Sequence, residues 1–236
     1  MTFRAFLWQK SRRLEKIDEI NHRKKLLSIS DISLNQLNKI NRQNLEEFTK
    51  VSFNAEFLPN CEKEFVKIIK TNESEPGYKL ILPVKFESNN SENEVQKDII
   101  FVDFGWFSQN VSTKDAILSL NETIEGIVYY GDKKSNYTNN DINKRMFITL
   151  HIDELSKVYP QYQHKIINDL MIKRVKFTDT KLTFNESSIQ INSGIQTSDD
   201  LLVWYISPET HLNYSRFWLF ATLSNFITNV YIWLIL

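Results

Sequence analysis

The last twenty residues of this 236-residue chain are almost entirely apolar, and they constrain the fold more than any other feature. No charged residue interrupts the run from Phe217 to Leu236, which Arg216 precedes. Twenty helical residues span about 30 Å, the thickness of the hydrocarbon core of a bilayer. A buried helix of a soluble domain is the alternative. The length and the lack of charge favour a transmembrane helix over residues 209–236.

The less apolar residues of this run share one face of the predicted helix. They recur at i, i+4, i+7 and i+11, at Trp218, Thr222, Asn225 and Asn229. Extended backwards, the stripe passes through Tyr214 to His211. Because lipid disfavours unpaired amides, this face is expected to turn toward another helix or a cofactor. Tolerated asparagines in an Asn-rich chain are the alternative.

The opposite end of the chain, residues 1–29, has a helical pattern but is too charged to span a bilayer. Its basic start is compatible with a targeting peptide. However, Glu15, Asp18 and Glu19 come early, which is unlike a transit peptide. An interfacial amphipathic helix also stays open.

The segment between the two ends, residues 30–208, is predicted to be rich in β-strands. Apolar and polar residues alternate in "KVSFNAEF" and "YKLILPVKF", whereas "DIIFVDFGWF" is apolar on both faces. Further strands are predicted at "TIEGIVYY", "RMFITLHI", "LMIKRVKF", "KLTFNESSIQI" and "LLVWYI", and a short helix at "DELSKVY". Because no long helices separate the strands, the pattern predicts an α+β fold with a mainly antiparallel sheet or barrel-like domain. Gly105, in the middle of a strand, is expected to mark close approach of another element.

Composition and motifs exclude several classes of function. The 29 basic and 29 acidic residues give a net charge of +0, so no electrostatic footprint for nucleic acid is present. The only cysteine, Cys61, excludes an internal disulfide and a Cys-pair metal site. The sequence contains no G-x-S-x-G, H-E-x-x-H or glycine-rich phosphate loop, and we therefore do not expect an enzyme.

The four histidines lack the spacing of a metal site. His151 lies opposite the apolar face of a predicted strand and is expected on the surface, as are His22 and His164. His211 differs from these, because it stands at the entrance to the apolar run.

Five short motifs in order resemble the Surfeit locus protein 1 family of cytochrome c oxidase assembly factors. They are W-Q-x-x-R-x-x-x-K at Trp8, Gln9, Arg12 and Lys16; P-G-Y at Pro76, Gly77 and Tyr78; G-W at Gly105 and Trp106; V-x-G at Gly126; and H-L-x-Y-A-x-x-W at His211, Leu212, Tyr214 and Trp218. The resemblance covers roughly residues 8–233. Two positions depart from the family pattern, since Phe104 stands in place of an arginine and Ser108 in place of a proline.

The resemblance implies a domain between two membrane helices that faces the periplasm or the mitochondrial intermembrane space. Residues 1–29 are then the end of a first membrane helix, with only seven residues before Trp8. The implied location is a bacterial or mitochondrial inner membrane. The implied partners are the haem-containing subunit of cytochrome c oxidase and other assembly factors. The family is not regarded as catalytic.

Haem a is the cofactor that the resemblance implies, with His211 as the contact. Neutral imidazole is a good axial iron ligand, and Tyr214 and Trp218 suit a mostly apolar macrocycle. We expect His211 to be exposed at the membrane interface. Two alternatives stay open. A histidine there also bonds headgroups or water, and the domain also suits a module that clamps an assembly intermediate without a cofactor.

Overall fold

The computed structural model describes residues 2–36, 44–59, 65–72, 75–89, 95–112, 123–132, 140–163, 165–167, 169–177, 193–194, 196–203 and 206–236. The chain forms two compact units. One unit comprises Met1–Ser28 with Asp199–Leu236, and the other comprises Ile29–Ser198.

The first unit is helical. It contains α1 (Thr2–Ser28), a 3₁₀ turn (Asp200–Leu202) and a long C-terminal helix (Pro208–Ile235). The C-terminal helix begins where a helix start is favoured, because the Ser207 side chain accepts from Thr210 N at 3.2 Å and Pro208 follows the cap. On α1, ion pairs at i, i+3 or i+4 support the helix, among them Lys16–Glu19 at 3.0 Å.

The two helices pack against each other with opposite chain directions. Gln9 of α1 contacts His211 in the first turns of the C-terminal helix, and Arg23 donates to Leu201 O at 3.0 Å. Moving forward along α1 therefore means moving backward toward residue 201. The C-terminal helix is about 42 Å long. Among the described residues it alone is long and apolar enough to cross a membrane.

Among its described residues, the second unit contains ten strands and one short α-helix. The strands are β1 (Ile32–Ser33), β2 (Lys50–Asn54), β3 (Glu56–Phe57), β4 (Val66–Asn72), β5 (Glu75–Asn89), β6 (Val95–Ser108), β7 (Thr123–Tyr129), β8 (Met146–Phe147), β9 (Met171–Arg174) and β10 (Ser193–Gly194). The helix α2 spans Ile152–Val158, and the C-terminal helix of the first unit is α3. Two further 3₁₀ turns are Leu34–Gln36 and Pro160–Tyr162.

The sheet closes on itself. Its order is β1-β2-β7-β9-β6-β5-β4-β8, and β10 also pairs with β6. Only Ala55 separates β2 from β3, which pairs with the same edge of β5 as β4 does, through Glu56↔Lys85 and Phe57↔Val84. A closed ring is therefore formed by six strands, in the order β2, β7, β9, β6, β5 and β3. The parallel pairs are β1–β2, β4–β8 and β6–β9. The expected α+β fold with a mainly antiparallel, barrel-like sheet is confirmed.

Strand alternation produces two cores in this unit. The residues inside the ring are fully apolar, including Val51, Phe53, Leu80, Leu82, Val102, Phe104, Val128 and Ile172. The residues on the outer face of the same strands, including Ile81, Ile99, Phe101 and Met171, lie with Ile152, Leu155 and Val158 of α2 in a second cluster. Strand β6 is thus covered on both sides, as its doubly apolar sequence predicts.

Some predicted strands are shorter than expected or absent. In "RMFITLHI" only Met146–Phe147 is a strand. The strand predicted at "LLVWYI" is wrong for residues 201–203, because a 3₁₀ turn (Asp200–Leu202) occupies the first two of them. "KLTFNESSIQI" lies outside the described residues. The helix predicted at "DELSKVY" is present as α2.

Gly105 occupies a bulge in β6. The register between β5 and β6 shifts there, so that Phe104 and Gly105 lie opposite Leu80 alone. Gly105 has φ +94°, which an L side chain rarely adopts, and Asp103 Oδ1 accepts from its backbone N–H at 2.9 Å. This backbone conformation by itself accounts for the glycine, and the close approach expected from the sequence stays a prediction.

Candidate functional site

The centre of the helical unit is a hydrogen bond between Gln9 and His211. Nδ1 of His211 lies 2.6 Å from Oε1 of Gln9, and both residues are buried, at 6% and 9% exposure. An amide oxygen only accepts hydrogen bonds, so Nδ1 of a neutral ring carries the proton. Nε2 then keeps a lone pair, which is the form of histidine that binds metals.

His211 is buried by helix packing, and the expectation of an exposed histidine is wrong. Ser215, one turn later, is also buried, and its hydroxyl donates to Leu212 O at 2.8 Å. Both residues lie on a side of α3 that packing covers. Within the described part of the chain, no hydrogen bond involves Nε2 of His211.

Tyr214 and Trp218, the two other residues expected at the site, are more accessible. The Tyr214 side chain is 51% exposed, and Trp218 is partly exposed, with its ring 5.3 Å from that of Phe217 in an edge-on contact. The structure therefore places His211 in the helix contact and Tyr214 outside it. Gln9 was not selected as a site residue from the sequence, but its side chain contacts His211, the candidate iron ligand.

The polar residues farther along α3 bond to their own helix. Thr222 Oγ1 donates to Trp218 O at 2.7 Å, and Asn229 Nδ2 donates to Asn225 O at 2.7 Å. Thr228 does the same to Ser224 O at 2.9 Å. Such bonds satisfy polar donors inside an apolar environment. These donors therefore do not require the partner helix or cofactor that the stripe led us to expect.

The described residues could supply one histidine ligand to the iron of a haem, but they do not form a metal site made of protein side chains alone. Among these residues no group of three or more His, Cys, Asp or Glu side chains is placed to hold a metal ion. A macrocycle supplies four of the ligands of its own iron, so one histidine with a free Nε2 is sufficient from the protein. His211 meets that requirement.

The motif glycines of the β-rich unit have packing roles. A Cβ on Gly77 would lie 2.3 Å from Trp106 Cε2, and a Cβ on Gly126 would lie 2.4 Å from Lys173 O. Tyr78 stacks on Phe107 and donates to Val111 O at 3.0 Å. These motifs hold β5, β6, β7 and β9 together and place no reactive group.

A polar cleft of about 280 Å³ lies on the outer face of the sheet. Its lining includes Lys79 and Asp103, which are paired at 2.9 Å with Asp103 only 1% exposed. Tyr129 donates a short hydrogen bond to Asp132 at the rim. Both aspartates that line the cleft already have a hydrogen-bonding or ionic partner. We therefore interpret these contacts as structural rather than catalytic.

The remaining histidines do not contribute to the helical site. His151 is buried at 7% exposure, because its Nδ1 contacts Asp132 O at 3.1 Å and its Nε2 contacts Thr149 Oγ1 at 3.0 Å. The prediction of a surface position for His151 is therefore wrong. His22 is exposed as predicted, and His164 lies outside the described residues.

Comparison with known protein families gives a match over almost the whole chain. The model of the SURF1 family matches residues 2–222, a range that contains all five motifs, including Gln9 and His211. No curated protein matches the chain at a significant level. The match confirms the resemblance drawn from the motifs: the chain belongs to the SURF1 family, whose members are assembly factors for cytochrome c oxidase rather than catalysts.

Proposed function

We propose that this protein is a membrane-anchored assembly factor that helps haem a reach the haem-containing subunit of cytochrome c oxidase. Membership of the SURF1 family supports the role in oxidase assembly. The observation that carries the haem proposal is the 2.6 Å contact of Gln9 with Nδ1 of His211. That contact leaves Nε2 as the iron-binding nitrogen.

The protein's own residues have distinct tasks in this proposal. Haem a, when bound, would supply an iron centre. His211 would hold the iron through Nε2, and Gln9 would fix the ring orientation and the proton on Nδ1. Tyr214 and Trp218 provide aromatic surface for the apolar macrocycle.

The proposed location follows from α3. We place α3 across a bacterial or mitochondrial inner membrane, with the β-rich unit on the periplasmic or intermembrane-space side. The length and apolar composition of α3 support the anchoring. Cysteine labelling tests the sidedness. In a Cys61→Ser background, cysteines at exposed Asn110 and at Ser30 should react from the same side, and one at Leu236 from the other.

A haem titration of the purified full chain tests the ligand. His211→Asn is the informative variant, because its Nδ2 can donate to Gln9 in place of Nδ1 but it has no counterpart of Nε2. We expect His211→Asn to keep its melting temperature and lose the Soret band of bound haem. His22→Ala, at an exposed position of α1, is the matched control and should bind haem normally. Equal haem binding by His211→Asn would remove His211 as the ligand.

A clamp without a cofactor is the second candidate function. The burial of His211 between two helices and the self-satisfied polar groups of α3 favour it, since neither feature needs haem. In that case every preparation should lack haem and still co-purify with the oxidase subunit. His211→Asn should then co-purify as well as the unaltered protein.

A further inference from the structure

Positive charge is concentrated in the first half of α1. Residues 2–14 of α1 include Arg4, Lys10, Arg12 and Arg13 and no acidic residue. In α3, the only charge after Glu209 is Arg216, directly before the apolar run. Arg12 is paired with Glu15 at 2.5 Å, and that hydrogen bond holds the pKa of Glu15 below its usual range. The net charge of the region therefore comes from the other cations.

The same part of α1 exposes apolar side chains. Phe3, Leu7 and Leu14 are 53%, 47% and 51% exposed. With Lys10 they follow the spacing i, i+4, i+7 and i+11, which places all four on one face of the helix. Gln9 faces α3, so this stripe lies on another side of α1. A helix face with large apolar side chains and a lysine suits the boundary between lipid and water. There the apolar side chains and the methylene chain of the lysine are buried, and the ammonium group reaches the headgroups.

The helix pairing brings these cations to the level where the apolar run of α3 begins. Arg4 comes five residues before Gln9, and Arg216 comes five residues after His211. Because the helices run in opposite directions and Gln9 contacts His211, both arginines lie about 7.5 Å from that contact toward the apolar end. Lys10 and Arg13 follow within about 6 Å on the other side of it.

We propose that Phe3, Arg4, Leu7 and Lys10, which we name the border surface, bind the headgroups of anionic phospholipids. This inference rests on the proposed anchoring of α3 and adds the lipid class. The apolar members enter the acyl boundary, and the cations contact phosphates at the level of Arg216. Acidic protein surfaces would also attract the cations but give no place to the two exposed apolar side chains.

Lipid selectivity of the full chain tests the proposal. The protein is reconstituted in phosphatidylcholine vesicles with spin-labelled phosphatidylglycerol or spin-labelled phosphatidylcholine, and the motionally restricted fraction is measured. We expect phosphatidylglycerol to be preferred, and the preference to fall as salt is raised. The double variant Arg4→Gln with Lys10→Gln should lower it, by at most about fivefold for each cation removed.

The double variant Lys24→Gln with Lys25→Gln is the matched control. It also removes two exposed cations from α1, but these lie about 20 Å from Gln9, away from the apolar end. It should keep the preference. Equal association of the two lipids, or an equal loss in the control, would overturn the inference. Extraction of the chain by alkaline carbonate would instead overturn the anchoring of α3, so the two failures are distinguishable.

Discussion

Nδ1 of His211 and Oε1 of Gln9 lie 2.6 Å apart although 202 residues separate them in the chain. The contact joins the first and the last of the five motifs that mark the family. Both side chains are buried between α1 and α3, where an unpaired polar group is costly. The two motifs are therefore two halves of one structural device, which holds the ends of the chain together.

Removing both side chains of this contact should cost less than the sum of the costs of removing each one alone. We expect Gln9→Leu to destabilise the helical unit by about 1–3 kcal/mol, because it leaves Nδ1 of His211 buried without an acceptor. Gln9→Leu combined with His211→Leu should be less destabilised than the sum of the single variants. Thermal unfolding of the full chain in detergent measures both effects. Additive losses would show that the two side chains do not interact.

Both residues of this contact lie in motifs that can be recognised in the sequence, but the sequence does not show that they contact each other. The first and last motifs contain Gln9 and His211, and the apolar run predicts the helix that carries His211. The burial of His211 depends on α1 lying against its face, which a helical pattern by itself does not specify. Its exposure was mispredicted for that reason. Gln9 was missed because an amide in a charged helix resembles an ordinary surface residue.

Close backbone contact explains the motif glycine of β7. We expect Gly126→Ala to destabilise the β-rich unit by about 1–3 kcal/mol, since its Cβ would lie 2.4 Å from Lys173 O of the neighbouring strand. Thr123→Ala, at an exposed position of β7, is the control and should stay within about 0.5 kcal/mol. Urea unfolding followed by circular dichroism checks both. An unchanged midpoint for Gly126→Ala would mean that β9 can move away from β7 at little cost.

The strands of the β-rich unit were largely predictable, and their exceptions have local causes. Period-two alternation located β2 and β5, because the ring has one apolar interior that every strand must face. His151 was misplaced because residues 148–151 leave the strand and bring the imidazole to Asp132 O. That contact is set by a loop, and alternation carries no information about loops.

Substitutions at Gly105 distinguish the cost of backbone strain from the cost of burying a charge. We expect Gly105→Ala to cost about 1–2 kcal/mol, because alanine is strained at φ +94°. Gly105→Glu should cost nearly the same, since the position is only partly buried and the carboxylate can reach water. Gly105→Asn should cost less than either. Thermal unfolding of the three variants ranks them, and a much larger loss for glutamate would show that burial of its charge, and not backbone strain alone, sets the cost.

Tyr129 should make the β-rich unit sensitive to alkaline pH. Burial, together with the hydrogen bond to Asp132, raises the pKa of its phenol above the usual range. The folded state therefore holds the proton more tightly than the unfolded state, so this stability is complete below about pH 10 and is lost as pH rises further. The melting temperature should fall above about pH 10, and less so in Tyr129→Phe. Tyr162→Phe is the control, and an identical alkaline decline in all three proteins would contradict the assignment.

Asp103 combines a charge role with a backbone role, and a short series of variants separates them. Its Oδ2 lies 2.9 Å from Lys79 Nζ, while its Oδ1 accepts from Gly105 N in the bulge, and the side chain is 1% exposed. Asp103→Ala removes both contacts and leaves Lys79 unpaired in a largely buried place, which we expect to cost about 3–5 kcal/mol. Asp103→Asn keeps an acceptor for the bulge and should cost less. Adding Lys79→Met to Asp103→Asn should then recover part of the loss, because no unpaired charge remains. Urea unfolding midpoints measure the series. If Lys79→Met recovers nothing, the bulge contact and not the ion pair accounts for the aspartate in the otherwise apolar stretch 99–107 of β6.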